Sequence, residues 1–159
     1  MQQAEEVLFA TEAQIDDYTD QAPEIQTNKY LIFSSDSLMY GIKADQVKDI
    51  ITDYAITHLP RVPSYVKGVI NLRGQIIPMV DIRLRLGKPG QESFCGIVVD
   101  VDGNQVGILV DMVEQMVDVP LDAILPVPTS NGQAMVSGMC TLPDGNTMLE
   151  LDCELLLHD

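Results

Sequence analysis

The strongest constraint on this chain is that it repeats itself. Tyr40-Gly41-Ile42 matches Val106-Gly107-Ile108 at an offset of 66, and Asp45-Gln46-Val47 matches Asp111-Met112-Val113 at the same offset. Val66-Lys67-Gly68-Val69 matches Val136-Ser137-Gly138-Met139 at 70, as Leu72 matches Leu142. Gly74 matches Gly145 and Asp81 matches Asp152, both at 71. Glycines, acids and apolar positions agree together, so the pattern reads as an internal duplication of about 60 residues per copy. A copy that small is marginally stable alone. Two copies sharing one core remove the difficulty, with or without exchange of strands between them.

Within each copy, short apolar runs alternate with turn signals. Lys29–Ser34 and Leu38–Ile42 flank Ser35-Asp36-Ser37, Val66–Leu72 and Gln75–Asp81 flank Arg73-Gly74, and Phe94–Val101 and Gln105–Val110 flank Asp102-Gly103-Asn104. Val136–Leu142 and Thr147–Leu151 flank Pro143-Asp144-Gly145-Asn146. Many short strands with regular turns predict small β-barrels or sandwiches. One helical turn is expected at the end of each copy, over Ile82–Leu86 and Cys153–Leu157. The predicted fold class is mainly all-β, a pseudo-twofold pair of small barrels. The first is placed roughly at 29–88 and the second roughly at 89–157.

Charge divides the chain into three. Residues 1–28 hold seven acids and no Lys or Arg; residues 29–88 hold all nine bases and five acids; residues 89–159 hold twelve acids and no base. The first segment is expected to be a disordered acidic tail. A net charge of −15 repels phosphate backbones and argues against nucleic-acid binding. The contrast between halves reads either as oppositely charged faces that orient protein partners or as ordinary solubility charge. No run approaches the ~20 apolar residues of a membrane span, and the N-terminus lacks the basic start of a secretory signal. A cytosolic protein without direct membrane insertion is the expectation. Cys95, Cys140 and Cys153 are odd in number and lack C-x-x-C spacing, so free thiols are expected rather than disulfides or zinc ligands.

Residues able to do chemistry are few. His58 precedes Leu59-Pro60 in a predicted loop and His158 is the penultimate residue. The sequence holds no H-E-x-x-H, G-x-S-x-G or Walker A pattern. Asp100, Asp102 and Asp111 lack the order of a calcium loop, and neither a metal nor a cofactor is expected. Asp81 and Asp152 end equivalent strands. They read either as N-caps of the helical turns that follow or as a carboxylate pair for acid–base work.

Residues shared by the copies maintain the fold, and residues that differ are free to serve a partner. Asn71 and Arg73 are special to the first copy, since Thr141 and Pro143 stand opposite them. Arg73 presents a rigid donor fork, for a carboxylate of a partner or for an internal salt bridge to Asp49. Gly68 recurs as Gly138, which first suggests tight backbone packing. Val47, Ile50 and Ile51 belong either to the core or to an apolar partner surface.

At this point the residues resemble a known family, CheW. The resemblance rests on Tyr40-Gly41-Ile42, Asp45-Gln46-Val47-Lys48-Asp49-Ile50, Pro60-Arg61-Val62-Pro63, and the run Val66-Lys67-Gly68-Val69-Ile70-Asn71-Leu72-Arg73-Gly74-Gln75-Ile76-Ile77-Pro78-Met79-Val80-Asp81-Ile82-Arg83. Val106-Gly107-Ile108-Leu109-Val110-Asp111 and Leu149-Glu150-Leu151-Asp152 extend it, so that it covers roughly residues 29–157. It implies two intertwined five-stranded barrels similar to SH3 domains. It also implies an adaptor between methyl-accepting chemoreceptors and a CheA-type histidine kinase, recruited to membrane receptor arrays. Carried over, the kinase would dock on an apolar face of the first barrel that includes Leu31, Ala44, Val47 and Ile50. The receptor tip would lie between the barrels near Gly68, Asn71, Arg73 and Val98. Asp49 stands where the family often has Glu, which shortens the reach toward Arg73. The competing functions are a CheW-like scaffold outside flagellar chemotaxis, in surface motility or second-messenger control, and a ligand-binding or hydrolytic barrel built on Asp81 and Asp152.

Overall fold

A computed structural model describes residues 26–90, 95–127 and 135–156. Its strands are β1 (Thr27–Ser35), β2 (Leu38–Lys43), β3 (Val47–Ile51), β4 (Val66–Leu72), β5 (Gln75–Asp81), β6 (Cys95–Val101), β7 (Asn104–Val110), β8 (Met112–Pro120), β9 (Val136–Thr141) and β10 (Thr147–Leu151). One short helix, α1 (Ile82–Arg85), follows β5, and single 3-10 turns cover Ala44–Gln46, Leu121–Ala123 and Cys153–Leu155. Residues 1–25 of the expected tail lie outside the described residues. The last two residues assigned to that tail, Thr27 and Asn28, instead begin β1 and pair with Pro120 and Val119.

The strands form two five-stranded sheets, β8-β1-β2-β10-β9 and β3-β6-β7-β5-β4. The sheets do not follow the split into 29–88 and 89–157. Each takes its first two central strands from one copy and the remaining three from the other. Neighbouring strands run antiparallel except at two of the four places where the copies meet. There β10 lies parallel to β2, with Glu150 opposite Gly41, and β5 lies parallel to β7, with Met79 opposite Gly107.

The duplication is visible in the backbone. Both central hairpins turn through left-handed residues, Asp36-Ser37 at φ 53° and 66° and Asp102-Gly103 at 52° and 84°. Positive φ at both central positions marks the turn whose twist matches a hairpin. Isolated bridges pair Thr57 with Val69 and Leu125 with Met139. The amide of Asp81 donates to the carbonyl of Tyr65 at 2.8 Å, and that of Asp152 donates to Met135 at 2.7 Å.

The central strands are apolar without interruption because both of their faces are covered. Leu31 and Phe33 of β1 join Ile97 and Val99 of β6 in a cluster shared by the two sheets. The alternate residues Tyr30 and Ile32 enter a second cluster with Val119, Leu142 and Met148. Val98 of β6 enters a third, with Ile70, Ile77, Met79 and Leu109. Two glycines admit methionines across the parallel pairs. A Cβ on Gly41 would stand 2.2 Å from the Met148 sulfur, and one on Gly107 would stand 2.2 Å from the Met79 sulfur.

Polar groups close one side of the seam between the sheets. Arg83 of α1, on the second sheet's side, is almost fully buried. Its Nε donates to Asp111 Oδ1 at 3.2 Å, its Nη2 bonds Asp111 Oδ2, and its Nη1 lies 3.4 Å from Asp36 Oδ1 in the first sheet's hairpin. Asp36 also meets Lys88 at 2.9 Å, and this cation, with Arg83 behind it, holds the Asp36 carboxyl below the usual carboxylate range. Arg85 donates to the carbonyls of Leu155 and Leu156 at 2.9 and 3.2 Å and stacks over the Tyr65 ring, which ties the C-terminal turn to the second sheet.

The glycine notches give a stability test. Gly107→Val should force the Met79 thioether out of place and lower the unfolding free energy by about 1–3 kcal/mol, the usual cost of overpacking. Adding Met79→Ala should cost less than the two single losses together, because the residues touch. Chemical denaturation of the four proteins checks this.

Candidate docking surface

The surface residues singled out by sequence lie mostly on the second sheet. Edge strand β3 pairs with β6, placing Asp49 opposite Val98 and Ile50 opposite Ile97. A register shift between Val47 and Asp49 alters which way the strand's side chains face. Ile50 is 41% exposed. Val47 is half-buried and packs against the shared core. Asp49 Oδ1 accepts a hydrogen bond from the Ile50 amide at 2.9 Å, a local contact that holds the carboxylate near the backbone.

At the far edge of the same sheet, the β4–β5 hairpin turns through Arg73 at φ 52° and Gly74 at φ 84°. Asn71 Oδ1 accepts from the Gly74 amide at 3.0 Å, so Asn71 buttresses the turn. Arginine is an unusual choice for a left-handed position, where Asn or Asp is preferred. The turn holds the side chain 77% exposed, and Nη1 lies 2.9 Å from Asp49 Oδ2. This ion pair joins the first and last strands in the sheet's order, as a closed barrel requires. An ion pair this exposed contributes roughly 0–1 kcal/mol to stability. The second sheet thus offers a fixed cation and a half-exposed isoleucine.

The two residue sets do not segregate by barrel. Leu31 is 2% exposed and lies in the shared core, so it offers no surface. Ala44 is half-buried in the turn between β2 and β3, and Val47 and Ile50 belong to the second sheet rather than the first. Val98 is fully buried in the second sheet's own cluster, because β6 is a central strand covered on both faces. Gly68 is buried as well. Its φ is +151°, and an added Cβ would stand 2.2 Å from the Thr57 carbonyl oxygen. Asn71 and Arg73 remain exposed side by side.

Sequence reasoning passed over several exposed apolar side chains: Ile76 at 64%, Leu125 at 58%, Met112 at 56% and Met116 at 51%. Met112 and Met116 lie on β8, the edge of the first sheet that corresponds to β3. Ile76 lines an open groove of about 510 Å³ with Gln75, Pro78, Asn104 and Gln105, where β5 and β7 diverge before their parallel pairing begins.

Groups able to titrate or react are placed structurally. Asp81 and Asp152 cap the turns that follow them: their Oδ1 atoms accept from the amides of Arg83 at 2.9 Å and Glu154 at 3.0 Å. Asp81 is fully buried, with Lys67 at 3.9 Å. Asp152 instead lines a shallow groove of about 230 Å³ with Lys43 and Glu150. His58 Nδ1 lies 2.8 Å from the Lys67 carbonyl oxygen, to which it donates. All three cysteines are free and buried. Burial raises the thiol pKa of each, and pushes Cys153 up to about 12 with help from the Asp152 charge. His158 lies outside the described residues.

The fold is a duplicated, strand-exchanged pair of barrels in which Asp81 and Asp152 serve as caps, Arg83 as the centre of an ion-pair cluster and the cysteines as buried thiols. A profile described as a CheW-like domain matches residues 29–159, and the chain belongs to that family. It is 33% identical to the chemotaxis protein CheW of Klebsiella aerogenes over 67% of this chain and 66% of that one. It is 43% identical to CheW of Rhizobium meliloti over 45% of this chain and 48% of that one. The matched stretches thus span two thirds or less of these relatives. Among solved structures, the scaffolding protein TtCheW from Thermoanaerobacter tengcongensis superposes with a TM-score of 0.78 at 27% identity, over 84% of this chain and 94% of that chain.

The raised thiol pKa values have a direct consequence. Thiolate is the reactive form, so at pH 8 the folded protein should react with an aromatic disulfide reagent far more slowly than the protein in denaturant. Rapid labelling of Cys153 in the native protein would contradict its burial.

Proposed function

We propose that the chain is a non-enzymatic adaptor that couples the cytoplasmic tip of a methyl-accepting chemoreceptor to the regulatory domain of a CheA-type histidine kinase. It acts in the cytoplasm, at membrane receptor arrays. The reading is supported above all by the Asn71–Gly74 hairpin, which holds Arg73 out from a rigid turn at little benefit to stability. A charged group placed so firmly and worth so little to the fold is suited to a partner's carboxylate. Family membership supports the identity of the partners.

Two docking regions follow. The receptor tip meets Asn71 and Arg73. The kinase meets the β3 edge through Ile50, with Ala44 and Val47 beneath. Coupling then means that a change at one surface alters contacts at the other unequally in the kinase-on and kinase-off states. The split charge orients the partners. The bases of β3 to α1 lie on the second sheet, and the base-free strands β8, β9 and β10 lie on the first.

Arg73→Glu should weaken binding of a receptor-tip fragment more than tenfold, over ~1.4 kcal/mol, with the fold intact. The reversed pair, Arg73→Asp with Asp49→Arg, separates docking from bracing. Binding should stay weak if Arg73 meets the receptor itself, whereas full recovery would show that only the internal ion pair matters. For the kinase, Ile50→Asp is the cleaner probe, because Val47→Asp would place a charge against the shared core. Calorimetry should show at least a tenfold loss of kinase affinity for Ile50→Asp, and equal affinity would remove β3 from that surface.

A further inference from the structure

Exposed cations and exposed isoleucines lie together on the second sheet. Lys48 and Ile50 stand two residues apart on edge strand β3, and both are exposed. On the β4–β5 hairpin, the exposed Arg73 is accompanied by Ile76, 64% exposed. The Asp49–Arg73 ion pair brings β3 and this hairpin together. Arg61, exposed in the connection from β3 to β4, adds a cation held like Arg73 in a left-handed conformation, at φ 63°. Among the described residues, Lys48 and Arg61 take part in no ion pair.

The matched edge of the other sheet has the opposite charge. At an offset of 66, Glu114 stands for Lys48 and Met116 for Ile50, both exposed on β8. Pro143 stands for Arg73. The first sheet's two exposed lysines have acids beside them: Lys29 lies opposite Asp118, and Lys43 shares a groove with Glu150, Asp152 and Glu154.

We propose that the acidic segment 1–25 of this same chain docks on the face formed by Lys48, Ile50, Arg73 and Ile76 and masks it. Three observations carry this. The segment holds seven acids and no Lys or Arg, the complement of that face, whereas the base-free strands β8, β9 and β10 repel it. Its acids adjoin apolar side chains, in Glu5-Glu6-Val7-Leu8-Phe9 and again in Ile15-Asp16-Asp17-Tyr18, as the cations of the face adjoin isoleucines. The segment also has the reach. It joins β1 through Gln26, whose carbonyl accepts from the Leu121 amide at 2.9 Å. A chain of that length extends to ~80 Å, beyond the ~35 Å breadth of a domain this size, and tethering holds it near its own surface at an effective concentration on the order of millimolar. The masking of partners rests on the roles given above to Ile50 and Arg73; the docking itself does not.

The test uses the full chain labelled with 15N and carrying a nitroxide on Ala10→Cys, with the wild-type chain and its buried thiols as the labelling control. Broadening is expected at the amides of Lys48, Ile50, Arg73 and Ile76 and not at those of Glu114 and Met116, the matched positions of opposite charge. It should fall by at least half in 1 M salt, where the screening length is about 3 Å, and equally when Lys48→Glu and Arg61→Glu are combined. Docking is overturned by absent broadening, by equal broadening at Met116 and Ile50, or by broadening that neither salt nor charge reversal reduces. For masking, the seven acids of the segment are replaced by their amides, and affinity for the kinase regulatory domain should rise at least threefold. Masking is overturned if that variant binds the kinase no better while Ile50→Asp binds it worse. If Ile50→Asp leaves kinase affinity unchanged, the kinase surface assigned above and the masking built on it both fall, and the broadening still decides the docking.

Discussion

The two parallel strand pairs, β2 with β10 and β5 with β7, are the contacts on which the architecture depends. Each joins one copy of the repeat to the other. Without them each sheet would split into a three-stranded piece and a lone hairpin, β9–β10 in one and β4–β5 in the other, and such hairpins are marginal in water. The pairs close because Gly41 and Gly107 leave room for Met148 and Met79. A side chain at either glycine would press on the methionine thioether at the point where the sheet is completed. Exchange also explains the shared cluster: strands that alternate between two interiors bury both faces and weld the barrels into one unit.

A fold held in this way frees its edges for other work. The interior is held by apolar side chains, caps and the Arg83 ion pairs. What remains outside is a small set of features of little weight in the fold: the Arg73 fork, Ile50 on β3 and the methionines of β8. Duplication is what makes them readable. Where both copies agree, the residue serves the fold, as with Asp81 and Asp152. Where one copy departs, as at Arg73, the departure costs the fold little and can serve a partner.

Much of this was legible in the sequence. The hairpins around Asp36, Arg73 and Asp102 were marked by their turn residues, while the caps at Asp81 and Asp152 and the Asp49–Arg73 pair were each one of two readings that only the geometry decides. The edge strands β3 and β8 were not identified, because their exposed residues, such as Lys48, Glu114 and Asp118, break the apolar runs that marked the others. The exchange of strands was left open, since repeat offsets reveal what is equivalent and not what pairs with what. Leu31 and Val98 were assigned to surfaces by carrying positions over from the family resemblance, which does not show which way a side chain faces. Their burial follows from the positions of β1 and β6 inside their sheets, which only the strand order reveals.

The central claim is that one rigid, duplicated scaffold holds two proteins at once on separate surfaces. Sedimentation velocity on the full chain mixed with a receptor cytoplasmic fragment and the regulatory domain of the cognate kinase tests it most directly. A single faster boundary containing all three proteins is expected, with each pairwise complex also formed. If the receptor fragment and the kinase domain instead displace one another, the surfaces are not separate, and the scaffold described here does not couple them.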